Sequence, residues 1–575
     1  MTSSMSITKL MRRSVHPAGL KQGLGFTSTA SVVSNTVSQT SSTTASELMS
    51  NAEVKTGWQT VLNAVENYNL GQPSCGPNAF LVLGSPGSGK SCFVGRLMME
   101  MLDRKASLEV NADQSVELLN SSGDVLDGSS SIKRARLQNG DVLTLHVKQV
   151  ALAATKRGIF GGCSAFAAVQ GDGSVVTWGD IAHGGDSGAV EQQLQNVQQI
   201  QESGGAFAAI LGDGSVVTWG SASYGGDSRA VQEQLKNVQQ IQASGGAFAA
   251  ILGDGSVVTW GSALCGGDSS SVQNQLRDVQ QIQASSGAFA AILGDGSVVT
   301  WGDANSGADS SAVHAQLKNV QHIQPSNGDF AALLDDGSVV AWGWRESYGD
   351  NSGAVQQQLK NVQQIQASGG AFAAILGDGS VVTWGSAPYG GDSSAVQQQL
   401  KNVQQIQASA HAFAAILGDA SVVTWGYANF GGDSSAVQHQ LRDVQRIQAS
   451  YNAFAAILGD GSVVTWGDAD GGGDSSAVRD QLRDVQRIQA SYHAFASILG
   501  DGSVVTWGDA HGGGDSSAVQ DRLRDVQQIQ ASRDAFAAIL GDGSVITWGG
   551  SYQVAAAPVK GAAEDLAMAL RASKS

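Results

Sequence analysis

The chain has 575 residues, 74 of them glycine, and a formal net charge of −17. Its length allows two to four domains. Its acidic balance argues against a nucleic-acid partner, because neutralising phosphates requires clustered lysine and arginine. No apolar run approaches the ~20 residues of a membrane span, so no membrane partner is expected. Four scattered cysteines without a C-x-x-C pair predict neither a disulfide framework nor a metal site, and they favour a reducing, cytoplasmic location.

The first 55 residues are predicted to be a disordered tail rich in serine and threonine. Residues 1–46 contain no aspartate or glutamate but do contain Lys9, Arg12, Arg13 and Lys21. This composition is also typical of an organellar transit peptide, which is the alternative interpretation.

Residues 56–105 contain the one chemical motif of the chain. A helix is predicted over 56–70 and a short strand over 79–83, and a second helix is predicted over 93–102. Between the strand and the second helix, residues 84–91 match G-x-x-x-x-G-K-S, with the motif residues Gly84, Gly87, Gly89, Lys90 and Ser91. The order strand, loop, helix is the context that this motif requires.

This stretch resembles the Walker A loop of P-loop ATPases. The resemblance implies that backbone N–H groups hold the phosphates of ATP or GTP, that Lys90 contacts the outer phosphates and that the Ser91 hydroxyl binds magnesium. Fewer than 60 residues separate Ser91 from the repeats described below, and no apolar strand ending in aspartate is found there. The competing interpretation is therefore a P-loop fragment without a nucleotide site, and no cofactor is the favoured expectation.

Residues 106–149 resemble part of a ubiquitin-like fold. Residues 107–110 followed by 113–116 are similar to its second strand entering its helix, and 137–147 are similar to its second half. Too few residues lie between them for the central helix, so the apolar face of the sheet would lack its cover. We expect an incomplete segment of a few strands rather than an independent domain.

Residues 150–553 consist of ten copies of one unit. Each unit carries a Trp-Gly pair, and consecutive pairs are 41 residues apart except for one 42-residue interval between repeats 5 and 6. We number the repeats 1–10 by these tryptophans, which are predicted to be structural: Trp178, Trp219, Trp260, Trp301, Trp342, Trp384, Trp425, Trp466, Trp507 and Trp548. A fixed period in this range predicts a propeller or a solenoid.

Within each unit, two short apolar runs flank a Gly-Asp-Gly turn. Asp-Gly between such runs predicts a hairpin, because the turn requires a residue that tolerates positive φ. Asp227 and Ser228 are predicted to cap a short helix carrying Val231 and Leu235, and a third strand follows. Ala420 replaces the turn glycine in one repeat, where positive φ is costly for a residue with a Cβ atom.

The pattern D-G-x-V-x-x-W-G resembles the regulator-of-chromosome-condensation repeat, in a compact form similar to the beta-lactamase inhibitor protein of that superfamily. The resemblance covers about 400 residues. It implies a mainly β fold of tandem three-stranded blades forming a β-propeller or a propeller-like superhelix, beside a small α/β N-terminal region. Family members usually form rings of seven blades, so ten units leave open a larger ring, a ring with extra blades and an open superhelix.

Comparison of the ten copies shows that the turn and hairpin strands barely change, whereas two loops vary. One loop follows Trp-Gly and the other precedes the hairpin, and both are expected on one rim because the hairpin is antiparallel. Variable aromatic residues and an arginine on one rim favour protein binding, and the predicted partner-binding residues are Tyr224, Trp344, Tyr389, His411, Phe430, Tyr451, Tyr492, His493 and Arg533.

The favoured function is a non-catalytic repeat scaffold that binds protein partners, and no catalytic or metal-binding set of residues is predicted. One alternative is an adaptor in a HERC-like ubiquitin ligase pathway, although no HECT domain follows Trp548. The others are an ATP- or GTP-binding protein using residues 84–91 and, through the family resemblance alone, a guanine-nucleotide exchange factor. Residues 554–575 are predicted to be an alanine-rich tail, helical near 562–571.

Overall fold

The computed structural model describes residues 78–82, 115–119, 142–148, 151–155, 165–343 and 353–550. The chain divides into two compact units, of which one comprises residues 151–559 and the other the remaining residues. The described residues of the latter form one antiparallel sheet, in which the third strand lies between the first two: Asn78–Val82, Ser115–Leu119 and Val142–Lys148.

The strand predicted before the glycine-rich motif is confirmed, but the ubiquitin-like assignment of residues 113–116 is wrong in one respect. Ser115 and Val116 begin a strand rather than a helix, because Ser115–Leu119 pairs along its whole length with Val142–Lys148. The motif at 84–91 and the helices predicted over 56–70, 93–102 and 562–571 lie outside the described residues. The nucleotide site and the division of this unit into segments stay predictions.

The repeats form ten separate three-stranded antiparallel sheets, here called blades, each with its strands in chain order. The first strands are Ala151–Ala154, Val197–Glu202, Val238–Ala243, Val279–Ala284, Val320–Pro325, Val362–Ala367, Val403–Ala408, Val444–Ala449, Val485–Ala490 and Val526–Ala531. The middle strands are Ala165–Val169, Ala206–Leu211, Ala247–Leu252, Ala288–Leu293, Asp329–Leu334, Ala371–Leu376, Ala412–Leu417, Ala453–Leu458, Ala494–Leu499 and Ala535–Leu540. The third strands are Val175–Gly179, Val216–Gly220, Val257–Gly261, Val298–Gly302, Val339–Gly343, Val381–Gly385, Val422–Gly426, Val463–Gly467, Val504–Gly508 and Val545–Gly549.

The ten blades close into one ring. The first strand of each blade lies beside the first strand of the next, and the first strand of repeat 10 lies beside that of repeat 1. The first strands are therefore the inner strands of the ring. The structure thus decides between the arrangements that the sequence left open, in favour of a single ring of all ten units.

The predicted hairpin turn is confirmed. In repeat 2 the Leu211 N–H donates to the Ser215 carbonyl at 2.9 Å, and Gly214 adopts a φ of 77°. The Asp213 carboxylate accepts from the Ser215 N–H and hydroxyl, which lowers the pKa of Asp213. Ala420 adopts a φ of 62° at the position that the other turns give to glycine, so this blade carries the strain that the sequence predicts.

The short helix expected after the Gly-rich loop is not an α-helix. Val231 and Leu235 do pack against the core, but the chain between them makes a single 3₁₀ turn, because three or four residues cannot complete an α-helical turn. The 3₁₀ helices are Ile181–His183, Glu191–Gln193, Ala222–Tyr224, Gln232–Gln234, Ala263–Cys265, Ala304–Ser306, His314–Gln316, Ala387–Tyr389, Ala428–Phe430, Ser476–Val478 and Gln520–Arg522, with five-residue turns at Ala469–Gly473 and Ala510–Gly514.

The core lies between neighbouring blades rather than within them. Ala206 and Ile210 of repeat 2 pack against Phe248 and Trp260 of repeat 3 in one apolar cluster, and eight similar clusters join the other consecutive described pairs. Within a blade the phenylalanine and tryptophan rings stack, at 5.2 Å between Phe248 and Trp260. Every blade thus buries its apolar face only by contacting the next.

Each tryptophan also bonds to the preceding repeat. The Trp425 indole N–H donates to the Gly390 carbonyl at 3.0 Å, and seven other tryptophans repeat this bond across their own interfaces. The indole nitrogens of Trp178 and Trp384 are buried and have no hydrogen-bond partner among the residues that the structure describes. Eight of the interfaces between blades are thus joined by an indole hydrogen bond as well as by apolar contact.

Comparing a tryptophan that makes this bond with one that does not allows the contribution of the bond to stability to be measured. We expect Trp425→Phe to lower the free energy of unfolding by about 1–3 kcal/mol more than Trp384→Phe, because only the former leaves a buried carbonyl without its donor. Urea denaturation of the two variants measures the difference. Equal losses would show that the indole serves packing alone.

The strained turn gives a second test. Ala420→Gly should raise the free energy of unfolding by up to about 1 kcal/mol, because glycine adopts positive φ without a steric penalty. The matched control is Gly461→Ala, whose Cβ atom would lie 2.8 Å from the Asp484 Cα and which should therefore destabilise the protein. A shift in the urea midpoint measures both, and a destabilised Ala420→Gly protein would contradict the assignment of strain.

Candidate partner-binding rim

Both variable loops lie at the same rim of the ring, where a constant serine joins them. In repeat 2 the Ser203 hydroxyl, just before one loop, donates to the carbonyl of Tyr224 in the other loop at 2.8 Å. The same bond joins Ser368 to Tyr389 at 2.8 Å and Ser491 to Gly512 at 2.7 Å. The serines are buried, so the framework positions both loops while their side chains differ from repeat to repeat.

Four aromatic side chains of repeats 6 and 7 form what we call the outer cluster: Tyr389, His411, Tyr427 and Phe430. The His411 ring lies 4.8 Å from Tyr389 and 4.9 Å from Phe430, and Tyr427 stacks on Phe430 at 4.8 Å. Tyr427, which is 45% exposed, is absent from the residues singled out by sequence. A weak signal was present, because repeats 2, 3 and 6 carry serine at the equivalent position: Ser221, Ser262 and Ser386.

Three side chains of repeats 8–10 form a second group, the inner ladder: Tyr451, Tyr492 and Arg533. The two tyrosine rings stack at 4.7 Å, and the Arg533 guanidinium lies 5.2 Å from the centre of the Tyr492 ring. His411 contacts the edge of Tyr451 at 5.4 Å and thereby links the two groups. His493 lies 5.9 Å from Tyr492. Seven of the nine residues singled out by sequence therefore form one continuous patch over repeats 6–10.

The other two are elsewhere. Tyr224 belongs to repeat 2, where it lies 6.0 Å from His183, and His183 in turn hydrogen-bonds Asp180 at 2.9 Å. Trp344 lies outside the described residues. The aromatic patch is therefore a feature of one part of the rim rather than of the whole circle.

On the side of repeats 2–6, one of the two loops has no side chain next to the hairpin, because glycine occupies the position of His411 there. These residues are Gly205, Gly246, Gly287, Gly328 and Gly370. A large side chain in one loop faces a glycine in the other. In repeat 2, a Cβ atom on Gly205 would lie only 3.1 Å from the Tyr224 ring. In repeat 8 the relation is reversed, since Gly471 faces the Asn452 side chain. In repeats 2–6, 8 and 9, glycine occupies at least one of the two facing positions, whereas in repeat 7 His411 and Phe430 lie side by side.

Burial shapes the electrostatics of the patch. Burial lowers the pKa of His411, although its interaction with the Asn452 side chain acts in the opposite direction, and the His411 Nδ1 atom is buried without a hydrogen-bond partner. Burial raises the pKa of Asp534, and Arg533 and His493 oppose that shift. The Arg533 Nε atom is 3.8 Å from the Asp534 carboxylate, which is too far for a hydrogen bond.

Among the described residues, no group of three or more histidine, cysteine, aspartate or glutamate side chains is arranged to hold a metal ion. Within the same part of the chain, no helix has the length and apolar character needed to cross a bilayer.

No family model matches the sequence, and no curated protein does either. Similar solved structures include the CRINKLY WD40 ectodomain of the Arabidopsis thaliana receptor kinase ACR4, at 16% identity and TM-score 0.26, covering 46% of this chain and 94% of that one. Prp20p from Saccharomyces cerevisiae is 14% identical with TM-score 0.28, covering 52% and 87%. The computationally designed Ika8 protein is 13% identical with TM-score 0.27, covering 62% and 96%. The architecture given above rests on the strands of this chain itself.

The partly buried His411 predicts a pH dependence of stability. Because the pKa of His411 in the folded protein is below the ordinary 6.5, the unfolded chain takes up a proton first, and stability is lost as the pH falls below about 6.5. We expect the melting temperature of His411→Phe to fall less between pH 7 and pH 5 than that of the wild type. His322, whose pKa burial also lowers, is common to both proteins. Equal falls would contradict the prediction.

Proposed function

We propose that this protein is a non-catalytic ring scaffold that binds protein partners through the aromatic patch of its variable rim. The observation that carries the proposal is the continuity of the patch, which runs from the outer cluster through His411 to the inner ladder. Tyrosine and arginine are enriched among residues that dominate protein–protein binding energy. Neutral drift of exposed loops accounts for variation, but it does not by itself gather seven aromatic or cationic side chains into one contiguous part of the rim.

The scaffold suits this role because variation is confined to the surface. The buried serines and the inter-blade core keep the two loops in place, so a binding surface can change without any change in the ring. Rigid presentation lowers the entropic cost of association. The patch is also only half-buried, which leaves the edges of its rings available to a partner.

The proposal predicts the effect of a variant built from residues that other repeats already carry. In Tyr427→Ser/Phe430→Gly, the serine occurs at Ser221 and the glycine at Gly471, so the fold should tolerate both changes. Immobilised full-length protein should lose most of its captured partners, by about tenfold or more, because removing two aromatic anchors costs at least about 1.4 kcal/mol.

The matched control is Tyr224→Ser in repeat 2, outside the aromatic patch; repeat 4 already carries serine, Ser306, at the equivalent position. It should capture the same partners as the wild type in quantitative mass spectrometry. Melting temperatures of all three proteins confirm that each is folded. An unchanged set of partners in Tyr427→Ser/Phe430→Gly would remove the patch as the binding surface.

A further inference from the structure

The inner strands end at a channel mouth on the variable rim, and backbone hydrogen bonds join neighbouring repeats along most of its described edge. Equivalent residues of consecutive repeats bond N–H to carbonyl, as Tyr451 does to Tyr492 at 3.0 Å and Tyr492 to Arg533 at 2.9 Å. The series includes Gly204 to Gly245, Gly245 to Ser286, Ser286 to Asn327, Gly369 to Ala410 and Ala410 to Tyr451. In these steps the backbone N–H groups of the wall donate to carbonyls of the wall, so they are already occupied.

The spacing of neighbouring repeats sets the width of the opening. The first strands of all ten repeats lie side by side in a closed circle, and backbones joined by bonds of this kind lie about 4.8 Å apart. Ten steps of that size correspond to a circumference of about 48 Å and a diameter of about 15 Å between opposite backbones. The side chains of Tyr451 and Tyr492 narrow the opening further. The remaining opening is narrower than an α-helix with its side chains, which has a diameter of about 10–12 Å, but it is wide enough for one extended chain.

The mouth is a cavity of about 700 Å³ that is lined only by uncharged residues. Its apolar surface comes from alanines at the ends of the inner strands, including Ala408, Ala490 and Ala531. Its lining serines are occupied, since Ser450 and Ser491 donate to loop carbonyls. Among the described residues, the side chains of Tyr451 and Gln489 make no hydrogen bond to a protein group, so the wall offers side-chain donors rather than backbone donors.

We infer that the mouth takes up a single extended, proline-rich segment of a partner protein. A polyproline II chain has no internal hydrogen bonds and presents carbonyl acceptors, and proline lacks an N–H donor of its own. It therefore matches the part of the wall formed by repeats 5–10, whose lining has hydroxyl and amide donors, apolar alanines and no charged side chain. Aromatic-lined sites recognise such segments in other folds. The inference rests on the proposed partner-binding function of this rim and deepens it, because it assigns one class of ligand to the channel wall and to Tyr451 and Tyr492 of the inner ladder.

The probe is a fluorescein-labelled decaproline peptide with an amidated C-terminus, titrated against the full-length chain by fluorescence anisotropy. We expect saturable binding by the wild type, and at least about tenfold weaker binding by Tyr451→Ala/Tyr492→Ala, because tyrosines at such sites contribute more than about 1 kcal/mol each. Alanine already occupies the equivalent position at Ala410. Tyr451→Phe/Tyr492→Phe keeps the stacked rings and should lose only the hydroxyl contribution, so it reports on recognition even if the alanine variant folds poorly.

Two further peptides of equal length test the size and chemistry arguments. A glycine–serine peptide and a helical alanine–lysine–glutamate peptide should not bind. The inference is overturned if decaproline fails to bind the wild type, if the tyrosine-to-alanine variant binds it equally well, or if either comparison peptide binds as tightly.

The outer-cluster variant separates this inference from the proposed function. Tyr427→Ser/Phe430→Gly should retain decaproline binding while losing captured partners. Loss of captured partners together with no decaproline binding by any protein would leave the rim function standing and remove the channel-mouth site.

Discussion

Everything in this ring depends on the contact between one blade and the next. A single blade has no core of its own, because the alanine and isoleucine face of one sheet is buried only by the phenylalanine and tryptophan face of its neighbour. Nine such contacts join consecutive described repeats, and the first strands of repeats 10 and 1 also lie side by side. The circle therefore leaves no blade at an end that would require a capping unit. The indole bond to the preceding glycine carbonyl adds a directional component to a contact that is otherwise apolar.

The two variable loops can differ so much because their side chains do not form the core. The core depends on the strands, the turn glycine and the tryptophan. The loops are held by hydrogen bonds from buried serines such as Ser203 and Ser491 to loop backbone carbonyls. Side chains at the rim are then constrained mainly by one another. Two repeats show this mutual constraint directly. In repeat 2 the large side chain is Tyr224 and the facing residue is Gly205, whereas in repeat 8 the large side chain is Asn452, in the other loop, and the facing residue is Gly471.

Local features of the fold could be predicted from sequence, because they are specified within one repeat. The Asp-Gly turn, the hairpin and the strain at Ala420 follow from the requirement for positive φ. The closure of ten blades could not be predicted, since the angle between sheets is a property of their packing and no single residue specifies it. The bounds of the strand at Ser115–Leu119 could not be predicted for a similar reason, because its pairing partner lies some 25 residues later in the chain.

The candidate site shows the same limit. The variable positions could be identified by comparing repeats, but which of them touch depends on how loops from neighbouring blades meet. The position of Tyr427 carries serine, aspartate, tryptophan or glycine in the other repeats, so the sequence alone does not single it out, and its stacking on Phe430 shows its importance. Tyr224 was included on chemical grounds, although the ring places it away from the patch.

The seam between repeats 10 and 1 has a consequence for how such a protein can change in length over evolution. The first and last blades meet through the same kind of contact as all others, without a strand shared between the two ends of the chain. Duplication or deletion of one 41-residue unit would therefore leave every strand intact and distribute a small change of angle over all the remaining interfaces. Gene-level gain and loss of units is then limited by the curvature that these interfaces tolerate, not by the integrity of any one blade.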